Sequence, residues 1–368
     1  MMRDEEPLSH MESWQELNTE PDDGAPEREQ ALWQALEEGK HMPAPEVLRM
    51  LSGLSEREIA RTGRAWHGLP LEVRQKMVRS LSQIARDEYA TDFSAVFRIA
   101  MEDIDAEVRA VSIAGLDETD DVRLVPAFVQ ILKEDPSEAV RVAAAEALAK
   151  YVLLGELEKI RRKLFNTAVL ALRESHLNIS ESPRVRRRAL EAIAYTEEYG
   201  VPEMIAAAYE DPDEALRISA ILAMGRSANE EWGGIVRREL SSPLPDVRLR
   251  ATRASGELQL TEAIHEIVDL ADDADHRVRA AALWALGQIG GKVAHRTLAK
   301  YVGIEDEALR TAAEEALEEL EFFSDDLSAF FGPPGGARDE ADNLWHTPGL
   351  IGQDNDDEGQ DDDDEDWA

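Results

Sequence analysis

The feature that most constrains this chain is a repeat. Arg186, Arg217, Arg248, Arg279 and Arg310 stand 31 residues apart without a gap. Each follows Val or Leu, at Val185, Leu216, Val247, Val278 and Leu309. Alanines stand three and six residues after each Arg, at Ala189, Ala220, Ala251, Ala282 and Ala313, and at Ala192, Ala223, Ala254, Ala285 and Ala316. Self-similarity at one fixed period of about 20–50 residues marks a chain of stacked units. In the unit at Arg279, Val278, Ala282, Ala285 and Leu286 fall on one face of a helix. A second apolar row keeps the same period at Ile205, Val236, Ile267 and Leu298, and belongs to a preceding helix. One helix pair cannot bury both its apolar faces alone, so neighbouring pairs must stack. Asp135, Asp211 and Asp273 stand six before the repeat Arg, and Pro136 and Pro212 follow two of them. The turn between the helices is expected there, with the Asp as N-cap and the Pro at the first helical position.

Outside the strict block the register loosens. Val73-Arg74, Val108-Arg109 and Val140-Arg141 open further units at spacings of 35 and 32, and 45 residues separate Arg141 from Arg186. The excess predicts a longer first helix over 157–174 and a loop over 176–183. Upstream, a helix over 27–40, a second opened by Pro45, and a third capped by Ser55 with Glu58 as its capping-box partner do not share the register. They predict a helical cap. The expected organisation is a disordered N-terminal tail over 1–26, a helical cap over 27–69, a solenoid of seven to eight repeats over 70–323 and an acidic disordered tail over 324–368. The fold class is all-α, an α-α superhelix.

The Asp-to-Arg spacing of six, the Val-Arg-x-x-Ala-x-x-Ala-Leu run and the 31-residue period resemble HEAT repeats, in particular the short, Ala-rich kind also found in bilin lyases. The resemblance implies a structural ladder of buried Asp and Arg along the inner helices. It falls on Asp103/Arg109, Asp135/Arg141, Asp211/Arg217 and Asp273/Arg279. Ser180, Ser242 and Ile304 stand where Asp is expected, so the ladder should be interrupted there. HEAT-like solenoids line their concave side with the exposed face of the inner helices. By that resemblance the residues one and five after the Arg point into the groove. They make Ile218, Leu222, Leu249, Arg253 and Trp284, together with the adjacent Arg250, the expected protein-binding set. Arg248, Arg250, Arg253, Arg237 and Arg238 form a basic island in an acidic chain, and Arg186, Arg187 and Arg188 form another.

Charge bounds the partners. The net charge is −37, which disfavours nucleic-acid phosphates and fits solubility or a basic protein partner. Residues 324–368 hold fifteen acidic residues and one Arg, and end in the run Asp361 to Asp366 followed by Trp367. The chain has no cysteine, which excludes disulfides and thiolate chemistry. No apolar run reaches the roughly 18 residues of a membrane span, and Met1 to His10 lacks an apolar signal core, so a cytoplasmic monomer is expected. Asp354, Asp356, Glu358, Gly359 and Glu365 match positions of a calcium loop, but a run this acidic matches by composition alone. His265-Glu266 is a single dyad, and no phosphate loop or nucleophile elbow occurs. The expected function is a non-catalytic scaffold or adaptor that grips a partner protein on its concave face, with no cofactor and no metal. Two alternatives are a bilin-lyase-type enzyme or chromophore chaperone, which the repeat style permits, and an acidic chaperone for a basic protein.

Overall fold

The computed structural model describes residues 25–38, 41–88, 90–117 and 119–331, with side chains placed from Glu29 to Leu320. The helices are α1 (Ala25–Glu38), α2 (Pro45–Leu48), α3 (Glu56–Trp66), α4 (Leu71–Asp87), α5 (Ser94–Ala100), α6 (Ala106–Ala114), α7 (Val125–Glu134), α8 (Glu138–Glu156) and α9 (Arg162–Leu177). They continue with α10 (Pro183–Ile193), α11 (Val201–Tyr209), α12 (Glu214–Arg226), α13 (Gly233–Glu239), α14 (Pro245–Glu257), α15 (Ile264–Leu270), α16 (His276–Ile289), α17 (Gly291–Tyr301) and α18 (Glu307–Phe331). No strand occurs among the described residues. From α5 onward the helices pair in order into seven hairpins, which stack with α4 as an α-α superhelix. The even-numbered helices pack closely on one another along the whole stack. The odd-numbered ones spread apart, most of all after α9, so the even helices line the inner curve.

The local reasons repeat with the units. The first residue positions of the inner helices are set by caps at Asp105, Ser182, Asp213 and Asp275, whose side chains accept from backbone N–H groups of the first turn. After the inner helix the chain turns through a left-handed residue eleven positions past the repeat Arg, at Ala228, Gln259 and Gly290. The Val or Leu before each Arg and the two periodic Ala are buried in every strict unit; Val278, Ala282, Ala285 and Leu286 are fully so, whereas Leu317 is half-buried.

Four details differ from the sequence expectation. The N-caps lie two residues after the periodic Asp, because Asp135, Asp211 and Asp273 use their carboxylates on the N–H of Ser137, Asp213 and Asp275 to shape the turn. Pro136 and Pro212 therefore sit in the turn, not at the first helical position. The helix α9 starts at Arg162, because α8 runs on to Glu156 and Glu158 takes a left-handed turn with φ 56°. His176 is a buried residue of the last turn of α9, not of the loop; it exchanges bonds with Arg186, Nδ1 to Arg186 O at 3.0 Å and Arg186 Nε to His176 O at 2.9 Å. The capping box at Ser55 and Glu58 is present, and α3, within the expected cap, packs on α1 and on the outer helix α5. The last helix extends to Phe331, past the expected end of the solenoid at 323. The N-terminal tail expected over 1–26 lies almost wholly outside the described residues, and so do the acidic run and the calcium-like pattern.

Candidate binding groove

The ladder comes first because it fixes the inner helices. Six repeat arginines reach back to a main-chain carbonyl six residues earlier: Arg109 to Asp103 O at 2.9 Å, Arg141 to Asp135 O at 2.8 Å, Arg217 to Asp211 O at 3.1 Å, Arg248 to Ser242 O at 2.8 Å, Arg279 to Asp273 O at 2.9 Å and Arg310 to Ile304 O at 3.2 Å; Arg186 reaches His176 O and Arg74 reaches Leu69 O instead. The carboxylate partner is in the next repeat. Arg109 pairs with Asp135 at 2.9 Å, Arg248 with Asp273 at 2.7 Å, and Arg74 with Asp103 at 2.7 Å. The expected pairs are thus shifted by one unit: the six-residue spacing serves the carbonyl, and the Asp side chain serves the previous repeat. At Ser180 the ladder is not interrupted, because Glu181 takes the place of the missing Asp and holds Arg141 at 2.8 Å. Arg217 and Arg279 face Ser242 and Ile304 and keep carbonyl bonds only. Asp103 is the most enclosed rung. It is 4% exposed and also accepts from Trp66 Nε1 at 2.7 Å, which ties α3 to the solenoid. Arg248 holds the Asp273 carboxyl below its ordinary range, chiefly by hydrogen bonding.

Away from the core, the inner helices present residues one, two, five and nine after the repeat Arg, which share one helical face. The nine-offset group was not expected from the sequence, and it supplies Tyr195, Arg226 and Glu257. Along α10, α12 and α14 the face reads Arg188, Glu191, Tyr195; Ser219, Leu222, Arg226; Arg250, Arg253, Glu257. Glu191 is 5% exposed and is held on all sides: Oε1 accepts from Ser219 Oγ at 2.7 Å, Oε2 from Arg188, and its carbonyl from Arg226 at 2.8 Å. Arg188 also pairs with Glu146 at 2.8 Å, and Arg226 lies over the Tyr195 ring at 5.4 Å. On α16, Trp284 is half-buried; its ring tip lies against Gly256 and Arg253 stacks over it at 5.7 Å.

Arg250 stands apart. It is half-buried and makes no hydrogen bond, ion pair or ring contact among the described residues. Burial pushes its guanidinium below the ordinary range, Arg188, Arg253 and Arg226 push the same way, and Glu191 opposes them. Glu257 shares the face. Burial pushes its carboxyl up, against the pull of Arg226, Arg253 and Arg250, and its Oε2 has no donor. The groove is therefore a patch of four guanidinium groups and two glutamates, one of them fully engaged, inside an acidic chain.

The expected binding set divides on this geometry. Ile218 and Leu249 are half-buried on the groove side, Arg253 is exposed, and Arg250 and Trp284 are as described. Leu222 is 4% exposed and cannot contact a partner. The basic island does not hold together. Arg248 is a ladder rung, and Arg237 and Arg238 lie on the outer helix α13, bound to Glu266 at 2.7 Å and to the Tyr209 hydroxyl at 2.8 Å. That bond also engages Glu266, the carboxylate of the His265-Glu266 dyad. The sequence reading also passed over a glycine row. Gly225, Gly256 and Gly287 are themselves 31 residues apart, and an added Cβ would lie 2.6, 3.0 and 3.2 Å from the Cα of Ala254, Ala285 and Ala316. The periodic signal was present and the alanines drew attention from it.

Among the described residues no group of His, Asp and Glu could hold a metal ion, and no helix is long and apolar enough to cross a membrane. An open pocket of 840 Å³ lies between α1 and α3, lined by Trp33, Arg57, Arg61 and Arg64 among others; Arg61 covers the Trp33 ring at 4.2 Å and pairs with Glu37 at 2.5 Å.

A family model described as HEAT repeats matches residues 93–161 and 236–318. No curated protein matches the chain. Solved structures similar to it include a designed armadillo repeat protein, at 22% identity and TM-score 0.34, over 53% of this chain and 99% of that one. Another is the complex of CpcE and CpcF of phycocyanin lyase from Nostoc, at 17% identity and TM-score 0.45, over 77% and 95%. Importin-beta from yeast matches at 12% identity and TM-score 0.46, over 80% of this chain and 46% of that one.

Proposed function

We propose that this chain, which carries HEAT repeats, is a non-catalytic scaffold or adaptor that holds a partner protein in the groove of its inner helices. The observation that supports this is the pairing of Arg253 with the half-buried Trp284 next to the unpartnered Arg250, with Ile218 and Leu249 on the same side. Tryptophan and arginine are the residue types that dominate interface energies, and a rigid solenoid presents them without ordering cost. The positive sign of the patch favours an acidic segment of the partner over a basic one, although the chain as a whole is acidic. The partner seat is tested by capture from native lysate. Trp284→Ala should remove the captured protein, and unchanged capture rejects this seat.

A further inference from the structure

The groove holds one cation that the fold leaves unanswered. An arginine stays charged under all ordinary conditions, so a half-buried guanidinium with no carboxylate is costly unless an anion reaches it. Arg253 is one helical turn from Arg250, carries no ion pair among the described residues and is steadied only by the Trp284 ring. Two guanidinium forks about 5–6 Å apart at their helix positions suit two carboxylates on an extended strand, where same-side residues repeat at about 7 Å. Arg188 and Arg226 add positive charge without being free themselves, since Arg188 pairs with the Glu191 carboxylate and Arg226 donates to the Glu191 main-chain carbonyl.

We propose that Arg250 and Arg253, beside Trp284, form a receptor for a run of carboxylates in an extended peptide, and that its resident ligand is the chain's own segment Asp361–Trp367. The site rests on the reading of the inner face as a binding face and adds to it the chemistry of the ligand. Three observations select this occupant. The segment presents Asp361, Asp362, Asp363, Asp364, Glu365 and Asp366 in unbroken series, so every register sets carboxylates on the side of the arginines. It ends in Trp367, an aromatic matched to a site bordered by Trp284. The tether also fits. From α14 to the end of α18 is roughly 35 Å, given about 8–10 Å between stacked helices and 1.5 Å rise per residue. The 29 residues from 332 to 361 would span roughly 30 Å root-mean-square as a random coil. A match of span and distance puts the segment at an effective concentration near millimolar, above what a free peptide reaches. An incoming acidic partner must then displace the tail, so occupancy of the groove is set by competition between two acidic segments.

The test uses a fluorescent synthetic peptide covering 352–368, titrated by anisotropy into full-length protein at low salt. It compares the natural chain with a neutral-tail chain carrying D361N, D362N, D363N, D364N, E365Q and D366N. The peptide should bind the neutral-tail chain at least tenfold more tightly than the natural one. Adding Arg250→Ala to the neutral-tail chain should weaken binding at least tenfold, and Arg253→Glu should do the same. Arg250 makes no bond among the described residues, so the Arg250→Ala protein should keep its helical circular dichroism, which is measured alongside. Equal affinity for the natural and neutral-tail chains overturns the resident ligand. Indifference to Arg250→Ala and Arg253→Glu, or no binding to the neutral-tail chain, overturns the site. Peptide binding as described, together with partner capture that ignores Trp284→Ala, would leave this inference standing and reject only the scaffold reading.

Discussion

From α3 to α10 aromatic side chains fill the space between packed helices, within hairpins and between them, and the outer helices still meet at α3 with α5 and α7 with α9. Phe97 lies where a Cβ on Gly115 would meet its ring, Phe165 does the same at Gly155, and Phe128 and Tyr151 pack with ring centroids 6.2 Å apart. From α12 to α18 the outer helices barely meet, and the inner ones are drawn together glycine against alanine. The difference explains the two registers. Where backbone approaches backbone there is no side chain left to absorb a change, and the unit length stays at 31 residues. Where a ring lies between helices its placement can compensate, and the units vary in length. The same difference curves the molecule: a stack close on the inside and open on the outside bends, so the groove belongs to the strict half.

The largest expected effect lies in the looser half. Asp103→Ala leaves buried Arg74 and Trp66 without their acceptor and should cost about 3–5 kcal/mol. Asp211→Ala, at a position whose carboxylate reaches no arginine and serves only the N–H of Asp213, should cost about 0.5–1.5 kcal/mol. Denaturation midpoints of the two variants decide this; similar losses would show that the ladder carboxylates are equivalent. Next comes the glycine row. Gly225→Ala sets a methyl 2.6 Å from the Ala254 Cα and should destabilise by about 1–3 kcal/mol, with hydrogen exchange rising in α12 and α14. An unperturbed variant would mean that the helices part freely.

Acid tests the ladder a third way. The Asp273 carboxyl is held below its ordinary 3.8 in the fold, so its pairing with Arg248 contributes in full above that value and fades as pH falls through the lowered one. The stability lost in Asp273→Asn should therefore be constant at neutral pH and shrink below about pH 4. The smallest effect concerns Glu257, whose carboxyl is raised by burial, so its penalty on folding grows as pH rises from the ordinary 4.5 to the raised value and is complete above it. Glu257→Gln should leave stability unchanged in acid and raise it slightly at neutral pH, measured by the melting midpoint.

Much of this was legible beforehand. The period, the helix pairing and the buried alanines follow from residues 31 apart, because stacked units repeat their core positions. The groove was only partly legible. Sequence offsets placed Trp284 and Arg253 on the open side, but Leu222 sits at the same offset as both and is covered, because cover depends on neighbours in adjacent units. The ladder pairing was misread for the same reason: a spacing within one unit cannot reveal a bond between two. Arg250 has no partner among the described residues, and Glu191, the carboxylate that attracts it, is already engaged by Ser219 and Arg188.

A guanidinium that grips a peptide oxygen is blind to the side chain hanging from that residue. Ser242 and Ile304 serve Arg248 and Arg310 as acceptors just as Asp135 serves Arg141. Each hairpin thus carries its own clasp, independent of its neighbours and nearly indifferent to mutation at the clasped position. A chain made of such self-fastening modules can be lengthened or shortened by whole units while every remaining module still closes.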